Sequence, residues 1–153
     1  MTLENTLRQQ LDHSEPGGFH IQADGWSVTL TAEKAESLSC ALKELALERG
    51  EPVREELRAW ADRVANQATG LMEPLRVLEV DAAVGTALLR SEAPAPRDGK
   101  VEYYELTLQR NARSSASLRR YVADRTGGAR ETVPFVLTHD AIVKLAGDIT
   151  GQR

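Results

Sequence analysis

The 153-residue chain reads as an α+β protein. The expected architecture is an antiparallel sheet, a four-stranded meander plus an N-terminal hairpin, packed on one side by a helix pair and a C-terminal helix. Three observations predict it. Asp24-Gly25 stands between two short apolar runs, and both residues tolerate the positive φ that a tight hairpin turn demands. Residues 101–110 and 114–123 alternate apolar with polar at period two, as half-buried strands do. Val53, Leu57, Trp60, Ala61, Val64 and Ala68 fall on one helical stripe about 100° wide, the mark of an amphipathic helix. Helices segregated from antiparallel strands define the α+β class.

Each element follows from local chemistry. Leu3, Leu7 and Leu11 recur every four residues, which suits a short helix over 2–12, and Ser14-Glu15-Pro16-Gly17-Gly18 ends it. Residues 19–22 and 26–30 form the hairpin around Asp24-Gly25. Thr31 then reads as a helix N-cap with Glu33 in the first turn. The expected helix runs over 32–49, with Leu38, Ala41, Leu42 and Leu45 on one face and Gly50 as its stop. A second helix starts at Pro52 and closes at Gly70. Residues 75–81, 84–91, 101–110 and 114–123 supply the four strands of the meander. The prolines and Asp98-Gly99 within 92–99 make a loop. Residues 133–137 read as a short edge strand because Pro134 cannot donate to a ladder. Thr138 caps a last helix with Ile142, Leu145 and Ala146 inward. Residues 28–39 and 135–146 share a Leu-Thr-x-acid pattern, which strand-to-helix capping alone explains.

Length and composition give one domain over 1–153. Its parts are a mobile N-terminal segment over 1–17, the hairpin and helix pair over 18–70, and the strands and C-terminal helix over 71–153. The chain is 41% hydrophobic and 27% charged with a net charge of −4, which excludes a chain disordered throughout. The absence of an apolar leader or long apolar run, and a single cysteine, lead to an expected cytoplasmic location without membrane contact. Residues 1–70 carry a net −5, whereas 90–130 carry +4. The modest asymmetry and a pI near 5.4 argue against a dedicated duplex-DNA binder.

No familiar catalytic pattern stands out, and we expect a protein that is not an enzyme and carries neither cofactor nor metal. Cys40 would lie mid-helix beside acids, a poor setting for a nucleophile. His13, His20 and His139 lack ligand spacing. Thr138-His139-Asp140 is explained by capping, and Glu51, Glu55 and Glu56 by a solvated helix face. Gly127-Gly128 between Arg125 and Arg130 has the composition of an anion-binding nest, though a simple connector has it too.

The outward face of the two best strands is the feature that invites a partner. It should present Tyr103, Thr107, Gln109, Ser115, Ser117, Arg119 and Tyr121. The residues proposed to bind are Tyr103, Arg110, Arg113, Arg119, Tyr121, Arg125 and Arg130. Tyrosine and arginine are favoured anchors in protein interfaces, so the leading expectation is a regulatory or adaptor module that binds a protein or self-associates as a homodimer. The alternative is a single-stranded nucleic acid, with bases stacked on the rings and phosphates on the guanidiniums over 103–121. In element order alone, four strands running into a helix over 74–149 resemble the Whirly-type single-stranded-DNA-binding proteins, with no motif residue carried over.

Overall fold

The computed structural model describes residues 2–91, 98–124 and 128–151. In chain order the elements are α1 (Leu3–Asp12), β1 (Phe19–Ala23), β2 (Trp26–Ala35), β3 (Ser39–Arg49), α2 (Leu57–Gln67), β4 (Leu75–Asp81), β5 (Thr86–Ser91), β6 (Lys100–Arg110), β7 (Ser114–Asp124), β8 (Arg130–Val133), β9 (Phe135–Thr138) and α3 (His139–Thr150). The nine strands form one antiparallel sheet in the order β1-β2-β3-β7-β6-β5-β4, with β8 beside β7 and β9 beside β3. The α+β class holds. The sheet has more strands than the sequence patterning indicates.

Strand register explains where the core sits. Ile21, Val28, Leu47, Ala116, Leu108 and Ala87 are successive cross-strand partners, so they share one face of the sheet. Leu30, Leu45, Leu118, Leu106 and Leu89 make the next row of that face. All of these side chains are buried, each contributing about 1.5–3 kcal/mol if large. All three helices lie on this face: α1 against β1, α2 against β4, β5 and β6, and α3 against β3 and β9. The Trp60 indole donates from α2 to the Ile149 carbonyl of α3 at 2.9 Å, satisfying a polar atom that burial would otherwise penalise.

The hairpin forms as its turn chemistry requires. Asp24 and Gly25 have φ of 55° and 82°, and Ala23 faces Trp26 across the two-residue turn. The N-terminal segment, expected to be a mobile piece over 1–17, contains α1, which packs against the rest of the fold. Leu3, Leu7 and Leu11 are buried, the Leu3 amide donates to Asp24 Oδ2 at 2.6 Å, and Arg8 meets Asp140 at 2.8 Å.

The expected helix over 32–49 does not exist. Its residues form the end of β2, a turn and all of β3, so Thr31 is a strand residue rather than an N-cap and α2 has no helical partner across Gly50. The cause is visible in the register. Thr31 faces Glu44 and Ala32 faces Leu42, so Lys43 is an extra residue that shifts the phase of β3. Buried Cys40 and Leu42 alternate before this bulge and Leu45 and Leu47 after it. A period-two pattern broken by one residue spaces Leu42 and Leu45 three apart, and Leu38, exposed in the turn before β3, adds a spacing of four, so together they imitate a helix. Alanine, glutamate and lysine add helical propensity that the sheet context overrides.

The shared edge of β3 and β7 opens into a fork. β3 pairs with β7 through Leu45–Arg49 and with β9 through Ser39–Leu42, while β7 turns from β3 to β8 beyond Leu118. Residues 130–138 fill the gap. Pro134 sits between β8 and β9, where the chain changes partner and no N–H is required, so one expected strand is two. The second helix is also shorter than expected. Residues before Leu57 are not helical and dock on the sheet end instead, with the Val53 amide donating to Ser114 Oγ at 2.8 Å.

Candidate binding surface

The helices leave the opposite sheet face open. Its rows are again set by register. One row runs Glu79, Leu88, Thr107, Ser117, Ala46 and Thr29 from β4 to β2. The next holds Arg90, Glu105 and Arg119, and the one beyond holds Tyr103, Tyr121 and Thr132. The middle of the face is built from small side chains and is correspondingly flat. Towards β4 and β5 it sinks into an open cavity of about 680 Å³ whose lining includes Glu79, Leu88, Arg90, Tyr103, Glu105 and Arg130.

Glu105 organises the polar end of this cavity. Arg90 Nη2 donates to its Oε1 at 3.0 Å and Arg130 Nη1 donates to the same oxygen at 2.9 Å. The carboxylate is only 7% exposed, so these bonds act in a setting less screened than bulk water. Burial pushes the Glu105 carboxyl up, but Arg130 and Arg90 more than offset it and hold it below its ordinary value. The same contacts, led by Glu105 and then Tyr103, hold Arg130 charged more firmly than a free guanidinium. Both guanidiniums also lie over rings, Arg90 4.5 Å from the Tyr103 centroid and Arg130 3.8 Å from that of Tyr121. The two rings are 6.0 Å apart. Arg130 Nη1 further donates to the Tyr103 hydroxyl at 3.3 Å. Beside this group Arg119 pairs with Glu44 at 3.1 Å, and Ser117 donates to the same carboxylate at 2.6 Å.

No family model, curated protein or solved structure matches this chain. The surface itself must then carry the functional reading, and the likeness in element order to Whirly-type proteins supports nothing further.

The structure brings together Tyr103, Arg119, Tyr121 and Arg130 on the open face. It separates the others. Arg110 belongs to the opposite face, where its Nε donates to the Val53 carbonyl at 3.1 Å and helps fix the segment before α2. Arg113 is exposed in the β6–β7 turn beside a separate hollow of about 360 Å³ that Glu48 also lines. Arg125 and the nest reading at Gly127 lie outside the described residues. The main residues missed are Arg90, Glu105 and Glu79. Glu105 already shared the outward alternation of Tyr103 and Thr107. Arg90 and Leu88 alternate the same way in β5, but only the β5–β6 register shows that Arg90 faces Glu105.

The remaining singled-out groups have structural places. Cys40 is 1% exposed in β3, where burial pushes its thiol up and Ser14 Oγ lies 3.9 Å away. Thr138 caps α3 by accepting from the Ala141 amide at 3.1 Å. His20 Nδ1 lies 2.8 Å from Thr29 Oγ1. Glu55 is not simply solvated: its two oxygens accept from Arg63 at 2.8 and 2.9 Å. Arg63 in turn donates to the Asp148 and Ile149 carbonyls, placing a cation at the negative end of the α3 dipole. Among the described residues no cluster of histidine, cysteine and acidic side chains could hold a metal, and no helix is long and apolar enough to cross a membrane.

Proposed function

We propose that this chain is a non-enzymatic interaction module that binds a protein through the open face of its sheet. The observation that carries the reading is a sheet seven strands across with the three helices of the described residues on one side. The bare side combines a flat centre at Ala46, Ser117 and Thr107 with arginine and tyrosine anchors at one end. Such a centre lets another surface approach closely, and such anchors supply interface energy.

The alternative, a single-stranded nucleic acid on residues 103–121, has less behind it. Base stacking needs free ring faces, yet Arg90 lies over Tyr103 and Arg130 over Tyr121. Binding a phosphate backbone needs a run of uncommitted cations, yet Arg119 holds Glu44 and Arg90 and Arg130 share Glu105, which leaves one excess charge rather than a track.

Two measurements test the reading. Chemical cross-linking in the native cell, with the wild-type chain and with Ala46→Arg, should give a discrete protein adduct that the variant loses. Ala46 lies in an outward-facing row, so the variant changes the surface and spares the core. Equal cross-linking by both proteins would remove the open face from consideration. Fluorescence anisotropy of labelled single-stranded DNA and RNA should show no binding at low salt. Tight, salt-sensitive binding there would replace this reading with the nucleic-acid one.

A further inference from the structure

We infer that the partner on the open face is a second copy of this chain, placed by a two-fold axis that crosses the strands between the rows of Leu88 and Arg90. Glu79 of each copy then meets Arg90 and Arg130 of the other. The inference rests on the reading that the open face binds protein, and adds the partner and its register.

The charge pattern points to this axis. Glu79 is exposed at the acidic end of the cavity, opposite Leu88, while Arg90 and Arg130 form its basic end. Same-face rows are about 7 Å apart along a strand. A two-fold axis between two such rows exchanges them, so the acidic row of one copy lies over the basic row of the other. Isologous contacts repeat this way by symmetry, and one favourable pairing becomes two. The basic end has capacity for it. Glu105 is a single carboxylate shared by two guanidiniums, which leaves that end with an excess of positive charge, and the buried Arg90 Nε has no hydrogen-bond partner among the described residues.

Size agrees. Seven strands spaced about 4.8 Å apart, each contributing several residues, give a face on the order of 700 Å². That approaches the roughly 800 Å² per partner of a standard stable interface. Threonine, serine and alanine across the centre suit two sheets stacked at the ordinary face-to-face distance of about 10 Å.

The sheet edges are poorer candidates. β4 carries a bulge at Leu78, between Val77 and Glu79, and charged residues on either side of it, while β1 is only five residues long with His20 and Gln22 exposed. Bulges, charges and short strands disfavour edge-to-edge pairing.

Sedimentation equilibrium of the full chain tests the proposal. The wild type should dimerise. Glu79→Lys and Arg90→Glu should each weaken the dimer by about ten-fold or more, because each places like charges at both pairings. An equimolar mixture of the two variants should recover dimer. In the mixed pair the introduced lysine meets the introduced glutamate at one pairing, and native Glu79 meets native Arg90 at the other. Circular dichroism checks the folding of each variant. If Arg90→Glu does not fold, a double-mutant cycle with Glu79→Gln and Arg90→Gln replaces it and should show coupling. A wild-type chain that stays monomeric at high micromolar concentration overturns the inference. So does a dimer that neither variant weakens, or a mixture that does not recover. Under a monomeric outcome, a cross-link to a different protein that Ala46→Arg abolishes would still support the protein-binding face.

Discussion

Tyr103 and Tyr104 are neighbours in β6, and each lies under an arginine that also holds a glutamate, yet the two groups end differently. On the covered side Arg120 sits 4.5 Å from the Tyr104 centroid and pairs with Glu73 at 3.0 Å. Ser91 donates to the same carboxylate at 2.8 Å and accepts from the Tyr104 amide at 2.7 Å, and Phe135 meets the Tyr104 ring edge-on at 5.4 Å. That group is closed by the core. On the open side Arg90, Arg130, Tyr103 and Glu105 make the same kinds of contact around a cavity. Tyr103 is as buried as Tyr104, so the pleat decides only which group faces the core and which faces the cavity, because adjacent side chains in a strand point to opposite faces.

The largest test of that division compares the two faces directly. Leu118→Ala, on the covered side, should cost about 2–5 kcal/mol because it removes a fully buried side chain from a core that collapses only partly. Thr107→Ala, on the open side, should change stability by no more than about 0.5 kcal/mol. Urea denaturation of both variants would break the comparison if their losses were similar.

Next in size is Glu105→Gln, with an expected loss of about 1–3 kcal/mol at neutral pH from two weakened charge-assisted bonds. The sign of its pH dependence follows from the lowered carboxyl. Its contribution is fully present above the ordinary carboxylate value and is lost as pH falls through the folded value. Acid denaturation of the variant should therefore be shallower than that of the wild type. Identical acid limbs would show that Glu105 does not shape this transition.

The covered group should act at the other end of the pH scale. Burial pushes the Tyr104 hydroxyl up, partly opposed by Arg120. That contribution is present below the ordinary tyrosine value and is lost as pH rises through the folded value. Tyr104→Phe should fall within about 1 kcal/mol of the wild type at neutral pH and lose less stability on alkaline titration. A variant with the wild-type alkaline limb would contradict the assignment.

The smallest effect concerns the rim of the covered group. Met72 precedes Glu73 with φ of 62° and is 94% exposed. Glycine removes the left-handed strain, worth about 1 kcal/mol, but adds freedom to the unfolded chain. Met72→Gly should therefore raise stability slightly or leave it unchanged in a thermal melt. A clear loss would mean that the methionine holds the turn in place.

Much of the fold was legible because local chemistry and global structure agree there. Asp24-Gly25 forms the turn its composition demands, the alternation of 101–123 survives in β6 and β7, and Thr138 caps α3. The failure over 32–49 has a definite origin. The Lys43 bulge converts strand spacing into helix spacing, and it falls where β3 exchanges β9 for β7, a long-range arrangement. The surface was half legible for the same reason. Tyr103, Arg119 and Tyr121 follow from alternation within adjacent strands and Arg130 from its place in the basic stretch, whereas Arg90 and Glu79 come from strands whose register only the assembled sheet defines. Arg110 was misplaced because a turn-flanking arginine gives no sign of which face it serves.

The fork between β3 and β7 also bears on how fast the chain folds. The hairpin that leads into β3 and the meander that ends in β7 are each built from neighbouring segments, but the ladder that joins them pairs Leu45 with Leu118 and Arg49 with Ser114. β8 and β9 then bridge the two parts across Pro134. Joining distant segments requires loop closure before the contacts that reward it exist, and sheets of this connectivity refold in milliseconds to seconds rather than microseconds. Until that join is made, the edges of β3 and β7 stand unpaired, and the nascent chain carries its greatest exposure to wrong strand partners at the place where the finished sheet forks.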